Sequence, residues 1–324
     1  MSIQSAVVKT LAVSFPAFLV LCAFAPAAHS WGPATHAYIA SQIGNAKDLD
    51  GIDQTYGAMA PDLFSIIYKD RELQKRLAAR THTEFMKLWT SVPPGMSMDS
   101  AYGFVTHNEL WGADYTADQS GQNSGKSVGY VTEKAAELRP FVLEILNRIY
   151  SGTAPEGVLE TAATEFSECL VEAAVDIEMR TLDPEIGSRI AAAASLRSSD
   201  FPVLFIRVYG REIARDAGLT YLEAGKLIYF SERDFREKMF AYGKALSEKD
   251  DEKMLDAVSD MLALEAGAIL DTYGASPPPG TDLATYTKDA LREAATLCLD
   301  DCAAEIAATI HFVEHNMLEN GIVR

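Results

Sequence analysis

Between Leu159 and Thr181 apolar residues recur at the three- and four-residue spacing of an α-helix, and in the middle of that run Glu168, Glu172 and Asp176 stand four apart with only apolar residues between them. Each four-residue step advances about 400°, so the three carboxylates follow one slowly drifting face. A solvated acidic face has polar flanks, whereas these are Cys169, Leu170 and Val171, then Ala173, Ala174 and Val175. The helix must therefore be buried on most sides. Ionised carboxylates in such a setting cost several kcal/mol each unless positive charge faces them. Arg148 is the only Lys or Arg between Asn147 and Arg180. The neutralising charge has to come from bound divalent cations or from arginines of another helix.

Helical spacing extends over nearly the whole chain and sustained alternation occurs nowhere. The pattern predicts helices over 34–45, 73–89, 100–110, 131–150, 159–181, 192–216 with a break at Pro202, 221–246, 252–273 and 283–318, hence an all-α protein of roughly ten packed helices. The longer connections are 112–129, rich in Gly, Ser, Asp and Asn, and 274–282, which contains Ser-Pro-Pro-Pro-Gly. Most of the histidines precede residue 110, so the chemistry is expected in 31–196, with 197–324 a helical extension packed on it. A chain of 324 residues that is 48% hydrophobic and 23% charged can build a large core, which excludes a disordered or collagen-like chain. Its net charge of −18 repels a phosphate backbone, so duplex nucleic acid is not an expected partner.

The first thirty residues have the layout of a secretory leader: Lys9, an apolar run from Leu11 to Ala25, then Ala28-His29-Ser30 with small residues at the last and third-last positions. The run is short for a bilayer span, and Leu21 before Cys22 argues against lipidation. The expected location is periplasmic or secreted. Cleavage after Ser30 makes Trp31 the first residue, and its free amine and own carbonyl could chelate a metal together with His36. Of the remaining cysteines, Cys169, Cys298 and Cys302, the last two lie a helical turn apart, so no disulfide scaffold is expected. Asp62 follows Ala60-Pro61, where it could equally cap a helix. His82 and His107 each sit in or beside helical stretches, where one backbone carbonyl could satisfy them. His311-Phe-Val-Glu314-His315 has inverted-zincin spacing, but too little chain follows for the further carboxylate ligand, and it reads as a helix face.

In order, Trp31-Gly-x-x-Thr-His36, Ala60-Pro-Asp62, Thr81-His82, Gly103-Phe-x-x-His107 and the Glu168/Glu172/Asp176 helix resemble the zinc-dependent phospholipase C superfamily, which also contains single-strand zinc nucleases. The resemblance covers Trp31 to Arg180 and implies an all-α fold with three zinc ions in a cleft; for this chain two or three are expected. By resemblance, Trp31 and His36 hold one zinc, Asp62, His82 and His107 a second, and the carboxylate helix the remaining ion, with Glu172 foremost and Glu168 where the family usually has histidine.

The chain departs from the pattern after His107. The family has an aspartate four residues on and a further histidine soon after, whereas position 111 is Trp, the nearest aspartate is Asp114, and no histidine follows before His311. A site using Asp114 would be richer in oxygen and poorer in nitrogen. The implied activity is hydrolysis of phospholipid phosphodiester bonds by a metal-activated water, with transient contact to a membrane surface and Asp62 orienting or deprotonating the water. The alternatives are a single-strand nuclease or nucleotidase of the same superfamily and a metal-binding helical protein without catalysis.

Overall fold

The computed structural model describes residues 30–43, 51–65, 67, 70–150, 152, 154–155 and 157–323; the predicted leader up to residue 29 lies outside them. Among the described residues there are fourteen α-helices, one 3-10 turn and no strand, so the chain is all-α. Helix α1 spans Pro33–Gln42 and α2 spans Gly51–Met59, followed by the 3-10 turn Ala60–Phe64. Then come α3 (Arg71–Thr83), α4 (Met86–Ser91), α5 (Asp99–His107), α6 (Ala113–Asp118), α7 (Tyr130–Tyr150), α8 (Val158–Leu182) and α9 (Ile186–Leu196). The remainder is α10 (Asp200–Ala217), α11 (Tyr221–Leu246), α12 (Asp251–Thr272), α13 (Leu283–Cys298) and α14 (Cys302–Glu319).

Helix α8 packs against α1, α7, α12 and α13, and Glu168, Glu172 and Asp176 are buried in it, as their apolar flanks require. Helices α2 and α5 lie in close contact because two glycines interlock. A Cβ on Gly57 would lie 2.1 Å from the Ser100 carbonyl oxygen, and one on Gly103 would lie 2.0 Å from that of Gln54. Glycine is a poor helix former, and Gly51 and Gly57 hide α2 from periodicity, but here the missing side chains are what lets the backbones meet.

Several predicted helices divide. The 73–89 stretch stops at Thr83 and restarts at Met86, with Phe85 between them buried edge-on against Trp111. The break in 192–216 falls at residues 197–199; Pro202 instead lies in the first turn of α10, where no intrahelical N–H is required. The 283–318 stretch breaks at residues 299–301, and the 112–129 connection contains the short α6. Cys169, Cys298 and Cys302 are free and buried. No helix among the described residues is long and apolar enough to cross a membrane.

The C-terminal helices are tied to the N-terminal ones through buried polar contacts. Tyr242 on α11 donates to Asp176 at 3.0 Å. Tyr56 donates to Glu232 at 2.7 Å, and Arg197 pairs with the same carboxylate at 2.6 Å. Thr309 on α14 donates to Thr116 at 2.9 Å.

Candidate metal centre

His82, near the end of α3, and His107, the last residue of α5, are both fully buried and point the same nitrogen inward. The Nδ1 of His82 lies 2.7 Å from the Ala78 carbonyl oxygen and that of His107 lies 2.8 Å from the Ala58 oxygen. A carbonyl only accepts, so each Nδ1 carries a proton and Nε2 is the nitrogen turned toward the interior. The two Nε2 atoms are 3.2 Å apart. The α2–α5 contact is what brings Ala58 to His107.

Two carboxylates close around these nitrogens. Asp62 Oδ1, from the 3-10 turn, is 3.3 Å from His82 Nε2, and its Oδ2 is 3.7 Å from His107 Nε2. Asp114, in the first turn of α6, has Oδ2 at 3.0 Å from His107 Nε2 and 3.5 Å from His82 Nε2. Its other oxygen, Oδ1, lies 3.1 Å from His36 Nε2. One carboxylate thus joins His36 to the His82/His107 pair, and the His36 ring stacks on His107 at 3.8 Å between centroids.

The route of the chain to Asp114 explains the departure at position 111. The side-chain oxygen of Asn108 accepts the backbone N–H groups of Leu110, Trp111 and Gly112 at 2.9, 2.9 and 3.2 Å, winding the chain into a tight turn after α5. Trp111 packs on Phe85, and the acid arrives three residues later on a new helix.

Ligand atoms of His36, Asp62 and His107, and likewise of His82, His107 and Asp114, lie within 4.8 Å of one another. These buried His/Asp groups could hold a metal ion. One detail fits that use: Asp114 Oδ2 is buried without a hydrogen-bond partner. No protein family, curated protein or solved structure matches this chain. The site is therefore read from its own chemistry.

Ser30 and Trp31 complete the cluster. Ser30 Oγ lies 2.9 Å from the Trp31 carbonyl oxygen, 2.8 Å from His36 Nε2 and 2.9 Å from Asp114 Oδ1, so three ligand-type atoms converge on one hydroxyl. The Ser30 backbone N–H donates to Glu172. The Trp31 indole is buried, donates to Thr116 at 2.9 Å and stacks on Tyr130 at 5.3 Å. That anchors the Trp31 main chain beside His36.

The carboxylate helix divides its labour. Asp176 stands apart from the cluster and caps α1: it accepts from the backbone N–H groups of Ala34 and Thr35 at 2.9 and 2.8 Å, from the Thr35 hydroxyl at 2.8 Å and from Tyr242. With every oxygen engaged in this way, its role is to hold the helix that carries His36. Gly32 is required there, because a Cβ would lie 2.5 Å from the Asp176 carboxylate. Glu172 and Glu168 are buried alongside but outside the two His/Asp groups. Asp118 is the acid that pattern reading missed; it lies in the polar connection and has a buried oxygen without a hydrogen-bond partner. His311 and His315 are exposed on α14, as a helix face requires.

The charges at the centre are strongly coupled. Burial opposes ionisation of Asp114 and Asp62, but His107 and, for Asp62, His82 outweigh it and hold both below the usual carboxylate range. Burial likewise opposes the charged form of His82, yet the bond to Asp62 and the charge of Asp114 push it up to about 9. His107 rises for the same reason, Asp114 again overcoming burial. His36 is lowered by burial and by His107. Burial and neighbouring acids drive Glu172 well up and Asp118 to about 10, so these two call for added positive charge if they are to ionise.

Proposed function

We propose that the chain beginning at Trp31 is an exported zinc-dependent phosphodiesterase acting on phospholipids. The observation that carries the reading is the bridging carboxylate: Asp114 faces His36 with one oxygen and His82 and His107 with the other. A carboxylate shared in this way could serve two cations. Asp62, His82, His107 and Asp114 would hold one ion. Asp114, His36 and the Trp31 carbonyl and amine would hold another, once Ser30 no longer occupies that point. Glu172 and Glu168 are the side chains nearest to hand for a further ion.

Bound zinc supplies Lewis acidity toward a phosphoryl oxygen and a water whose pKa is drawn down to about 7. The chain's own part is positioning. Backbone carbonyls of Ala58 and Ala78 fix the two imidazoles, so no reorganisation is needed when a substrate arrives. Asp62 is the one member of the cluster with appreciable exposure, its side chain being 26% accessible. Held in its ionised form by His107 and His82, it can accept a proton from a water. His36, His107 and Asp114 are closed off from bulk solvent behind it.

The test is N-terminal sequencing and elemental analysis of the exported protein, with parallel assays on phosphatidylcholine and single-stranded DNA. A chain starting at Trp31 with about two or three zinc ions per molecule and released lipid headgroup is the expected result. A mature protein that binds no metal, or binds it and cleaves no phosphodiester, overturns the reading. Cleavage of the DNA alone would transfer the same chemistry to nucleotides.

A further inference from the structure

Helices α10 and α11 are joined by three residues, Gly218 to Thr220, and run antiparallel. Their contact line is marked by Gly210, whose added Cβ would touch the Tyr221 ring, and by Gly225, whose Cβ would touch Ile206. On α10 the exposed stripe is Val203, Arg207 and Arg211; on α11 it is Leu222, Lys226 and Tyr229. Both stripes lie about 100° around their helix from the contact line, in the same rotational sense. In an antiparallel pair that sense turns both to one side, so the six residues form one continuous outer face.

This face carries cations on an acidic molecule. Asp200–Leu246 has eight Lys and Arg against seven Asp and Glu, in a chain with a net charge of −18. Arg207 and Arg211 form no ion pair among the described residues, while the neighbouring acids are engaged: Glu212 with Lys87, Asp216 with Arg80, and Glu223 in the Thr220 capping box. Val203, Leu222 and Tyr229 are 63%, 68% and 52% exposed. Four of the five large aromatic side chains exposed among the described residues, Tyr221, Tyr229, Phe230 and Phe240, are on α11. Arg233 lies over the Phe230 ring at 5.1 Å.

We propose that the α10–α11 face is the surface by which this protein rests on an anionic lipid bilayer. Charge complementarity selects that occupant: unpaired cations gathered on one face of an acidic molecule meet the phosphates, and aromatic and leucine side chains set between them sink to headgroup depth. The face uses no residue of the metal centre; the inference gives the membrane contact of the proposed phospholipid hydrolase a place on the fold and rests on that reading.

The experiment is co-sedimentation of the full chain, as purified, with vesicles of phosphatidylcholine alone and of phosphatidylcholine mixed with phosphatidylglycerol. Binding is expected on the anionic vesicles and should fall about fivefold for each cation removed from the face. Arg207→Glu/Arg211→Glu should therefore bind at least about twentyfold more weakly. Leu222→Ser/Tyr229→Ser should reduce binding while keeping its salt dependence. Circular dichroism melts establish that these exposed substitutions leave the fold intact. Equal binding to both vesicle types, no binding to either, or wild-type binding by both folded variants overturns the proposal. Sedimentation and headgroup release are read on the same vesicles, so the surface and the phosphodiesterase can fail separately.

Discussion

At the scale of single residues the centre depends on one acid doing two jobs. Asp114 faces His36 through Oδ1 and the His82/His107 pair through Oδ2, so replacing it by asparagine keeps the shape but removes the charge common to both sets. Asp114→Asn is expected to lower metal affinity by at least about a hundredfold and to reduce the metal content of the mature protein. Elemental analysis after dialysis checks this, and full retention of metal would show that Asp114 is not a shared ligand. The histidines gathered at the candidate site were each weak signals alone, since one backbone carbonyl could satisfy them, and were legible only through the order of the motifs from Trp31 to the carboxylate helix. The identity of their partner was legible only as a choice between positions 111 and 114. What settles it is the Asn108 turn, a hydrogen-bond arrangement with no periodic signature. Asp176 was expected among the ligands for a sound local reason, being buried and acidic, but its hydrogen-bond partners are the Ala34 and Thr35 backbone N–H groups and the Thr35 and Tyr242 hydroxyls, and nothing local announces them.

At the scale of helices, the fold class and most of the long elements follow from apolar spacing, while the junctions do not. Helix breaks at 84–85, 197–199 and 299–301 lack the Gly or Pro that usually marks one, and the Pro202 that was available falls inside a first turn. Helix α2 shows the reverse failure: its glycines argue against a helix locally and make one possible in the packed molecule. Gly103→Ala puts a methyl group where the Gln54 carbonyl oxygen already lies, so α2 and α5 must separate. A loss of about 1–3 kcal/mol is expected in urea unfolding. Because Ala58 would withdraw from His107, metal binding should weaken along with it. An unchanged unfolding midpoint would show that the two helices part without strain.

At the scale of the whole molecule, the buried histidine–carboxylate cluster couples stability to pH. His82 has a folded pKa of about 9 against an ordinary 6.5, so in chelated protein its contribution is complete below 6.5 and is lost as pH rises through about 9. Asp62 and Asp114 have folded values below 3.8, so theirs is present above that pH and lost on acidification. His36, lowered by burial, subtracts from stability only below its ordinary 6.5. Thermal melts with chelator should therefore decline between pH 6.5 and 9. With zinc, protons and metal compete for the same nitrogens, and the melting temperature should hold or rise over that window. A chelated protein that gains stability toward pH 9 would contradict the charge coupling described for His82.

The capping of α1 by Asp176 also has a long-range side. The helix that carries His36 has no side-chain cap of its own, and its first N–H groups are satisfied from α8, which α11 in turn steadies through Tyr242. Closing a loop of that length carries an entropy cost that its contacts must repay. His36 therefore keeps its place only while α1 is docked on α8. Loosening that distant contact would free His36 from one side of Asp114 while leaving His82 and His107 together on the other.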